Sequence, residues 1–203
     1  MNHRMLVSAL FLAALALPAA PAAAGAWSRP DLDLSAGQSF GTDGDPTGGG
    51  FAVALAPLWP AGDHARFGVS VFADDIGTSL VEVYDRNSGQ DLGTVSTRHR
   101  WTWGAAWRGD YDLVRRPRWG SSVSGEWGWW RVEDDVRGTI QSAISAVGVG
   151  LGVDARHRLA GTHSVGVNVK YRQLFDPHDS AGRHPWHYAS AALEWRWAAT
   201  AEH

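Results

Sequence analysis

The strongest candidates for covalent chemistry in this sequence are histidines that lie close to serines. His178 and Ser180 are two residues apart, and His187 and Ser190 are three apart. Nucleophilic catalysis needs a histidine that takes the proton of the serine hydroxyl and an acid that orients the histidine. Pro177 places the first pair in a loop, and residues three apart on a strand face opposite sides. The sequence therefore predicts no catalytic triad.

The loop around the first pair also contains side chains that can bind a divalent metal. Imidazole and carboxylate groups are common metal ligands. The candidates are His178, His184, His187, Asp176 and Asp179. Loops rich in such residues are common in proteins that bind no metal. Metal binding here stays an open hypothesis, and we predict no resident metal or cofactor.

The segment Gly148-Val149-Gly150-Leu151-Gly152 resembles a dinucleotide-binding loop only in its glycine spacing. A dinucleotide loop follows a strand and opens a helix. No helical pattern follows this segment, and glycine at every second position fits one face of a strand. We therefore interpret these glycines as a row on a β-strand.

Charged residues alternate with apolar residues along most of the chain. In the segment 100–111, tryptophans occupy odd positions and arginine, threonine or aspartate occupies many even ones. This period of two predicts a β-strand, and the segment 118–130 continues it after the turn 112–117. The two segments are predicted to form a hairpin.

The same alternation predicts eight strands in all. The other six segments are 31–40, 51–59, 66–74, 143–156, 164–175 and 187–197. Pro57 predicts a bulge or an early end to the second strand, because proline cannot donate a ladder hydrogen bond. Residues 75–99 are predicted to form a long hairpin that turns at Arg86–Gly89, and residues 132–142 are predicted to be a polar loop.

The outward row of each strand is apolar, whereas the inward row carries the charges. This is the arrangement of a transmembrane barrel, since a charge facing the bilayer centre costs about 2–4 kcal/mol. Ion pairs are expected to fill the narrow lumen, because buried charges persist when paired. The principal candidates are Arg66, Arg100, Arg108, Asp110, Glu126, Asp154, Arg156, Lys170, Arg172, Glu194 and Arg196, and the same rows include Asp31, Asp33, Asp74 and Arg118.

Aromatic residues are predicted to form two girdles at the membrane–water interfaces, where their rings are favoured. The girdle candidates are Trp59, Trp101, Tyr111, Trp119, Trp129 and Trp197. A secreted lipocalin-like barrel is the alternative, but it requires an apolar lumen and a polar exterior. The charge pattern favours the membrane barrel.

The N-terminus and composition agree with export to a membrane. Residues 1–24 contain Arg4, an apolar run and a small-residue tract, which predict a cleaved signal peptide followed by one barrel domain at 25–203. The chain has no cysteine, which excludes a disulfide scaffold. A formal net charge of −3 gives no support for nucleic-acid binding. Shorter connections follow the second, fourth and sixth strands, which predicts that these turns face the periplasm.

The cleavable signal, the eight alternating segments and the ending Leu193-x-Trp195-x-Trp197 resemble those of small eight-stranded outer-membrane β-barrel proteins, a group with opacity-type adhesins and porin-like members. This resemblance implies an all-β, antiparallel up-and-down barrel in the outer membrane of a Gram-negative-type bacterium. It also implies contact with outer-membrane lipids and with the barrel assembly machinery, which reads the terminal aromatic. In this chain six residues follow that aromatic.

Function is expected to lie in the long connections on the outer side, because loops on rigid scaffolds commonly carry binding sites. We expect a monomer with a structural or surface-interaction role, an unidentified extracellular ligand or partner and no enzymatic activity. The alternatives are a small gated channel and a lipid-modifying enzyme. The lipid A deacylases of this architecture carry a histidine and a serine two apart on a strand, and His178-x-Ser180 departs from that pattern by lying in a loop.

Overall fold

The computed structural model describes residues 29–41, 50–84, 91–136, 139–175 and 186–198. These residues form eight antiparallel strands, β1 to β8 in chain order. Their bounds are Asp31–Gly41, Gly50–Pro60, Ala65–Tyr84, Asp91–Arg115, Trp119–Val136, Thr139–Ala160, His163–Phe175 and Trp186–Trp197. Each strand pairs with its neighbours in sequence, and β1 pairs with β8, so the sheet closes into a barrel. The predicted fold class is confirmed.

The stagger of the barrel follows from its strand register. A circuit of paired residues passes through Asp31, Leu58, Gly68, Arg108, Glu126, Gly150, Arg172, Tyr188 and Gly41. It therefore returns to β1 ten residues beyond its start. Such a shear tilts the strands and leaves an eight-stranded barrel just wide enough for side chains to fill.

The barrel is apolar outside and polar inside, the reverse of a soluble barrel. On the outer surface Leu151 is 71% exposed and Leu193 is 72% exposed, whereas Asp33 and Arg108 inside are each 2% exposed. Alternation along every strand produces this separation, since successive side chains point to opposite faces. The lipocalin-like alternative is thereby excluded.

Four neighbouring strands continue beyond the rim of the barrel. β3 pairs with β2 as far as Asp74 and then runs on to Tyr84, which pairs with Asp91 of β4. β5 and β6 likewise pair as far as Val136 and Thr139. We call residues 75–84, 91–101, 133–136 and 139–146 the projecting sheet. The predicted long hairpin after the third strand is confirmed, and its predicted turn at 86–89 lies outside the described residues.

Several predicted loops are instead strand. The turn predicted at 112–117 is shorter, since β4 runs to Arg115, and most of the predicted loop 132–142 belongs to β5 and β6. Similarly, β6 extends to Ala160. These segments were predicted to be loops because they are polar. Strands that leave the bilayer no longer need an apolar outer row, so polar segments can still be strand.

Two residue-level predictions were wrong. The pairing of β2 with β3 skips Ala56 and Pro57 but resumes at Leu58–Gly68 in the register of Leu55–Val71, so the strand neither bulges nor ends there. Proline is accommodated because only one side of a ladder needs its N–H at a given position. Arg118, predicted in the lumen, is exposed in the turn between β4 and β5 because the strands pair one step short of it.

The predicted signal peptide at 1–24 lies outside the described residues, and so do the loop residues His178, Ser180 and His184. The signal peptide, the domain boundary at residue 25 and the metal hypothesis stay predictions. No helix among the described residues is long and apolar enough to cross a bilayer.

Candidate functional site

The lumen is the part of the barrel where buried polar side chains concentrate. We call the end with the chain termini and the short turns the termini end, and the opposite end the hairpin end. From the termini end upward, the lumen contains an arginine–acid network, a second ion cluster and an apolar cluster. Each is built from residues of several strands, because neighbouring strands present alternate side chains at similar heights.

Arg196 is the centre of the arginine–acid network. Its Nη2 atom donates to Asp33 Oδ2 at 2.5 Å and to Asp110 Oδ2 at 3.1 Å, and its Nε atom also contacts Asp33. Arg108 reaches the same two acids, with Nε at 2.7 Å from Asp110 Oδ1 and Nη2 at 3.1 Å from Asp33 Oδ2. Glu194 accepts a bond from Asn168 Nδ2 at 2.8 Å. Strands β1, β4, β7 and β8 are thus joined across the lumen.

Closer to the mouth of the termini end, Asp112 joins two further arginines. Arg66 Nη2 lies 2.5 Å from Asp112 Oδ1, and Arg156 Nη2 contacts the same oxygen. Arg156 Nη1 also lies 3.2 Å from Asp154 Oδ2, and Ser122 donates to Asp154. One oxygen of Asp112 can accept from both arginines because each carboxylate oxygen has two lone pairs.

The second ion cluster lies at mid-height and centres on Glu126. Lys170 Nζ lies 2.6 Å from Glu126 Oε1, and Arg172 Nε lies 2.9 Å from Glu126 Oε2. Arg172 Nη1 then reaches Asp74 Oδ2 at 2.7 Å, and Tyr188 donates to the same oxygen at 2.8 Å. All five side chains are buried. Their charges are therefore satisfied by one another, as buried charges require.

An apolar cluster covers the second ion cluster toward the hairpin end. Trp130 is fully buried, and its ring centroid is 5.1 Å from that of Phe72. The remaining members are Ala106, Val132, Ala146, Leu174 and Tyr188. The Arg172 guanidinium lies 4.6 Å above the Phe72 ring, and Trp130 Nε1 donates to Tyr188 Oη at 3.2 Å. The aromatic rings thus contact the ion cluster directly.

At the rim of the hairpin end, a histidine is held between an acid and an indole. His99 Nε2 lies 2.7 Å from Asp75 Oδ1, and Trp101 Nε1 donates to His99 Nδ1 at 2.9 Å. Because Nδ1 accepts, the remaining ring proton belongs on Nε2 and is donated to Asp75. Beside this group, Arg100 Nε lies 2.7 Å from Asp134 Oδ1.

Comparison with protein families agrees with this architecture. Residues 9–189 match the model of the outer membrane protein beta-barrel domain. The chain belongs to that family. No curated protein sequence matches it.

Solved structures give the same fold. Neisserial surface protein A is 12% identical, with a TM-score of 0.58 over 85% of this chain and 99% of that chain. A major outer membrane protein from Thermus thermophilus is 14% identical, with a TM-score of 0.57 over 82% of this chain and 98% of that one. The outer membrane enzyme PagL is 14% identical over 83% and 99%, with a TM-score of 0.38. At such identities the likeness is one of fold alone.

Family membership and the barrel together confirm the outer membrane of a Gram-negative bacterium as the location. One fold can carry many functions, so family membership alone assigns no activity. The expected contacts with membrane lipids, the assembly machinery and an extracellular partner, and the monomeric state, stay predictions.

The charged residues predicted from the sequence to fill the lumen lie close to the ion-pair partners described above. Sequence reasoning missed Asp112 and Asp134, although both continue the even-numbered inward rows of β4 and β5. Extending the period of two past the assumed turns would have found them. It also left Trp130, Phe72 and Tyr188 unassigned, because no rule of composition distinguishes an inward aromatic from an outward one.

The girdle candidates lie on the outer surface. Trp59, Tyr111, Trp119 and Trp197 are at or near strand ends of the termini end, whereas β4 and β5 continue past Trp101 and Trp129 into the projecting sheet. Tyr111, Trp119, Trp129 and Trp197 are exposed, and Trp59 and Trp101 are partly buried. Two of these rings pack against other rings. The ring centroids of Trp103 and Trp129 are 5.3 Å apart in an edge-on contact, and those of Trp119 and His157 are 4.5 Å apart. Their depth in the bilayer stays a prediction.

Of the two histidine–serine pairs considered from the sequence, His187 and Ser190 lie among the described residues, and their side chains do not come together. Ser190 is buried in the lumen, whereas His187 stacks on the outward-facing Tyr171 ring at 5.9 Å. The glycine row at 148–152 lies on β6 and faces the lumen, as interpreted from the sequence. The described residues contain no group of three potential metal ligands.

Proposed function

We propose that this outer-membrane barrel is a surface-interaction protein whose projecting sheet meets an extracellular partner, while its lumen is a structural core. The observation that carries the proposal is the projecting sheet. β3 continues for ten residues beyond Asp74, its last residue paired with β2, which is about 33 Å along a strand. Membrane anchoring alone does not require this length.

The edges of the projecting sheet favour an interaction role. Among the described residue pairs, β3 from Gly77 to Tyr84 pairs with β4 on one side only, and β6 from Thr139 to Ala146 pairs with β5 on one side only. Such edges expose backbone donors and acceptors. A partner can bind them by adding a strand or through side chains carried on the rigid sheet.

The filled lumen argues against transport as the main role. Ion pairs join strands that are not adjacent, such as β5 with β7 through Glu126 and Lys170. The apolar cluster lies over them. An aqueous path would need both layers to open, which would leave charges such as Glu126 and Arg172 unpaired.

The test is to shorten the β3–β4 hairpin without disturbing the barrel. Ser79 pairs with Arg98, so replacing residues 80–97 by a short Gly/Ser turn keeps that pair and all pairs below it. We expect attachment and self-aggregation of expressing cells to fall to the level of cells without the protein. Heat-modifiable gel migration must be retained, because the barrel pairs are unchanged.

The matched control replaces only the hairpin turn, residues 85–90, by Gly/Ser of equal length, which leaves the paired strands in place. If the shortened protein assembles and every surface phenotype survives, the proposal is wrong. A change in the mass of lipid A in cells that carry the protein, combined with intact surface phenotypes, would instead favour the enzyme alternative.

A further inference from the structure

An electropositive cavity lies at the mouth of the termini end, apart from the projecting sheet. It has a volume of about 40 Å³ and is bounded by the turns β4–β5 and β6–β7 and by the end of β8. A volume of this size exceeds the roughly 10–15 Å³ that one water molecule needs. The cavity is therefore large enough for a small polar group to enter.

The lining of this cavity is strongly basic. Its arginines are Arg115, Arg116, Arg156, Arg158 and Arg196, joined by His163. None of the described residues that line it is aspartate or glutamate. Arg115, Arg156 and Arg196 pair with acids such as Asp112 and Asp33, which do not line the cavity. The cavity thus presents positive charge to whatever enters it.

One buried arginine nitrogen points to a missing acceptor. Arg196 is 3% exposed, and its Nε and Nη2 atoms bond the acids of the lumen. Its Nη1 atom is buried and has no hydrogen-bond partner in the structure. A buried donor without an acceptor is costly, particularly on a charged group. An anion in the cavity, which Arg196 lines, would supply that acceptor.

We infer that the cavity binds the phosphate group of an anionic phospholipid in the leaflet that faces the periplasm. Arginine fits phosphate because its planar donors match two phosphate oxygens at once. Short turns face the periplasm in outer-membrane barrels, which places the termini end there.

The position of the cavity favours a lipid over free phosphate. Trp119 and Val114 line the cavity and are also exposed on the lipid-facing surface at 59% and 41%. Tryptophan favours the membrane–water interface. A headgroup can therefore enter the cavity while its acyl chains lie against the barrel wall.

The experiment uses the full-length purified protein in detergent with equimolar dioleoylphosphatidylglycerol and dioleoylphosphatidylcholine, and native mass spectrometry to count retained lipids. We expect selective retention of phosphatidylglycerol, since the choline group would place a positive charge beside the arginines. Arg116→Gln/Arg158→Gln should lower this retention about tenfold by removing two charge-assisted contacts. Should the double variant not fold, the exposed Arg116→Gln alone gives the same test with a smaller decrease.

Arg118→Gln is the matched control, because Arg118 is exposed in the same turn as Arg116 but does not line the cavity. It should retain the lipid as the wild type does. Equal retention by the double variant and the wild type overturns the inference. Loss of the lipid on adding millimolar inorganic phosphate, which then binds in its place, overturns the lipid assignment in favour of free phosphate. Failure of the full-length wild-type protein to retain phosphatidylglycerol in preference to phosphatidylcholine also overturns it.

Discussion

Glu126 is the residue whose loss should affect the barrel most. It bonds Lys170 and Arg172 at once while remaining 5% exposed. Glu126→Ala leaves two buried cations short of an acceptor, so we expect it to lower the free energy of unfolding by about 3–5 kcal/mol. Urea unfolding in lipid vesicles, followed by tryptophan fluorescence, measures this change.

Glu133→Ala is the control for Glu126→Ala, because it removes the acid of a partly exposed ion pair. Glu133 pairs with Arg131 at 3.7 Å, and both side chains are partly exposed. Solvent screens this pair, so its loss should cost about 0–1 kcal/mol. Similar costs for the two substitutions would contradict the view that the lumen charges stabilise the barrel through burial.

At the scale of the element, the glycine row of β6 lets β5 and β7 meet across it. Gly150 lies beneath Glu126 and Arg172, and a Cβ atom there would come within 3.1 Å of Glu126 Oε2. At Gly148 a Cβ atom would lie 2.7 Å from Leu174 Cδ2 and 2.9 Å from the Gln173 carbonyl oxygen. Because the glycines of this row carry no side chains, side chains of β5 and β7 can bond each other across β6.

Gly148→Ala should consequently lower the free energy of unfolding by about 1–3 kcal/mol, the usual cost of an overpacked core. The backbone oxygen of Gln173 cannot move as a side-chain end can. Gly125→Ala on the outward face of β5 is the control, because a Cβ atom there meets nothing within 4 Å. The same unfolding titration should show little or no loss for it, and a comparable loss at both positions would refute the proposed role of the glycine row.

For the whole molecule, the filled lumen predicts that the barrel does not conduct. The purified protein in planar bilayers should show no stable single-channel steps. The arginine–acid network, the second ion cluster and the apolar cluster together occupy the cross-section of the lumen. Trp130→Ala removes the largest member of the apolar cluster and should reduce stability by about 3–5 kcal/mol. The ion clusters below it should still block current. Large steady currents from the wild-type protein would show that the lumen opens in the membrane.

The sequence by itself determined the class of the molecule and its eight strands. A period of two is read directly from residue types, and the bilayer imposes an uncharged outer row, so the inward placement of residues such as Arg108 and Glu194 followed. The location in the outer membrane came from the resemblance to small eight-stranded outer-membrane barrels. Strand ends were less well predicted, as at 132–142, because outside the bilayer that rule no longer acts.

The tertiary structure alone decided which charges meet and what closes the lumen. A shear of ten residues brings Arg196 of β8 to Asp33 of β1 and Glu126 of β5 to Arg172 of β7, and no single strand encodes that stagger. The apolar cluster around Trp130 has the same origin, since its members come from strands far apart in sequence. The basic cavity at the termini end also depends on closure, because β8 reaches the turns of β4–β5 and β6–β7 only when the barrel is complete.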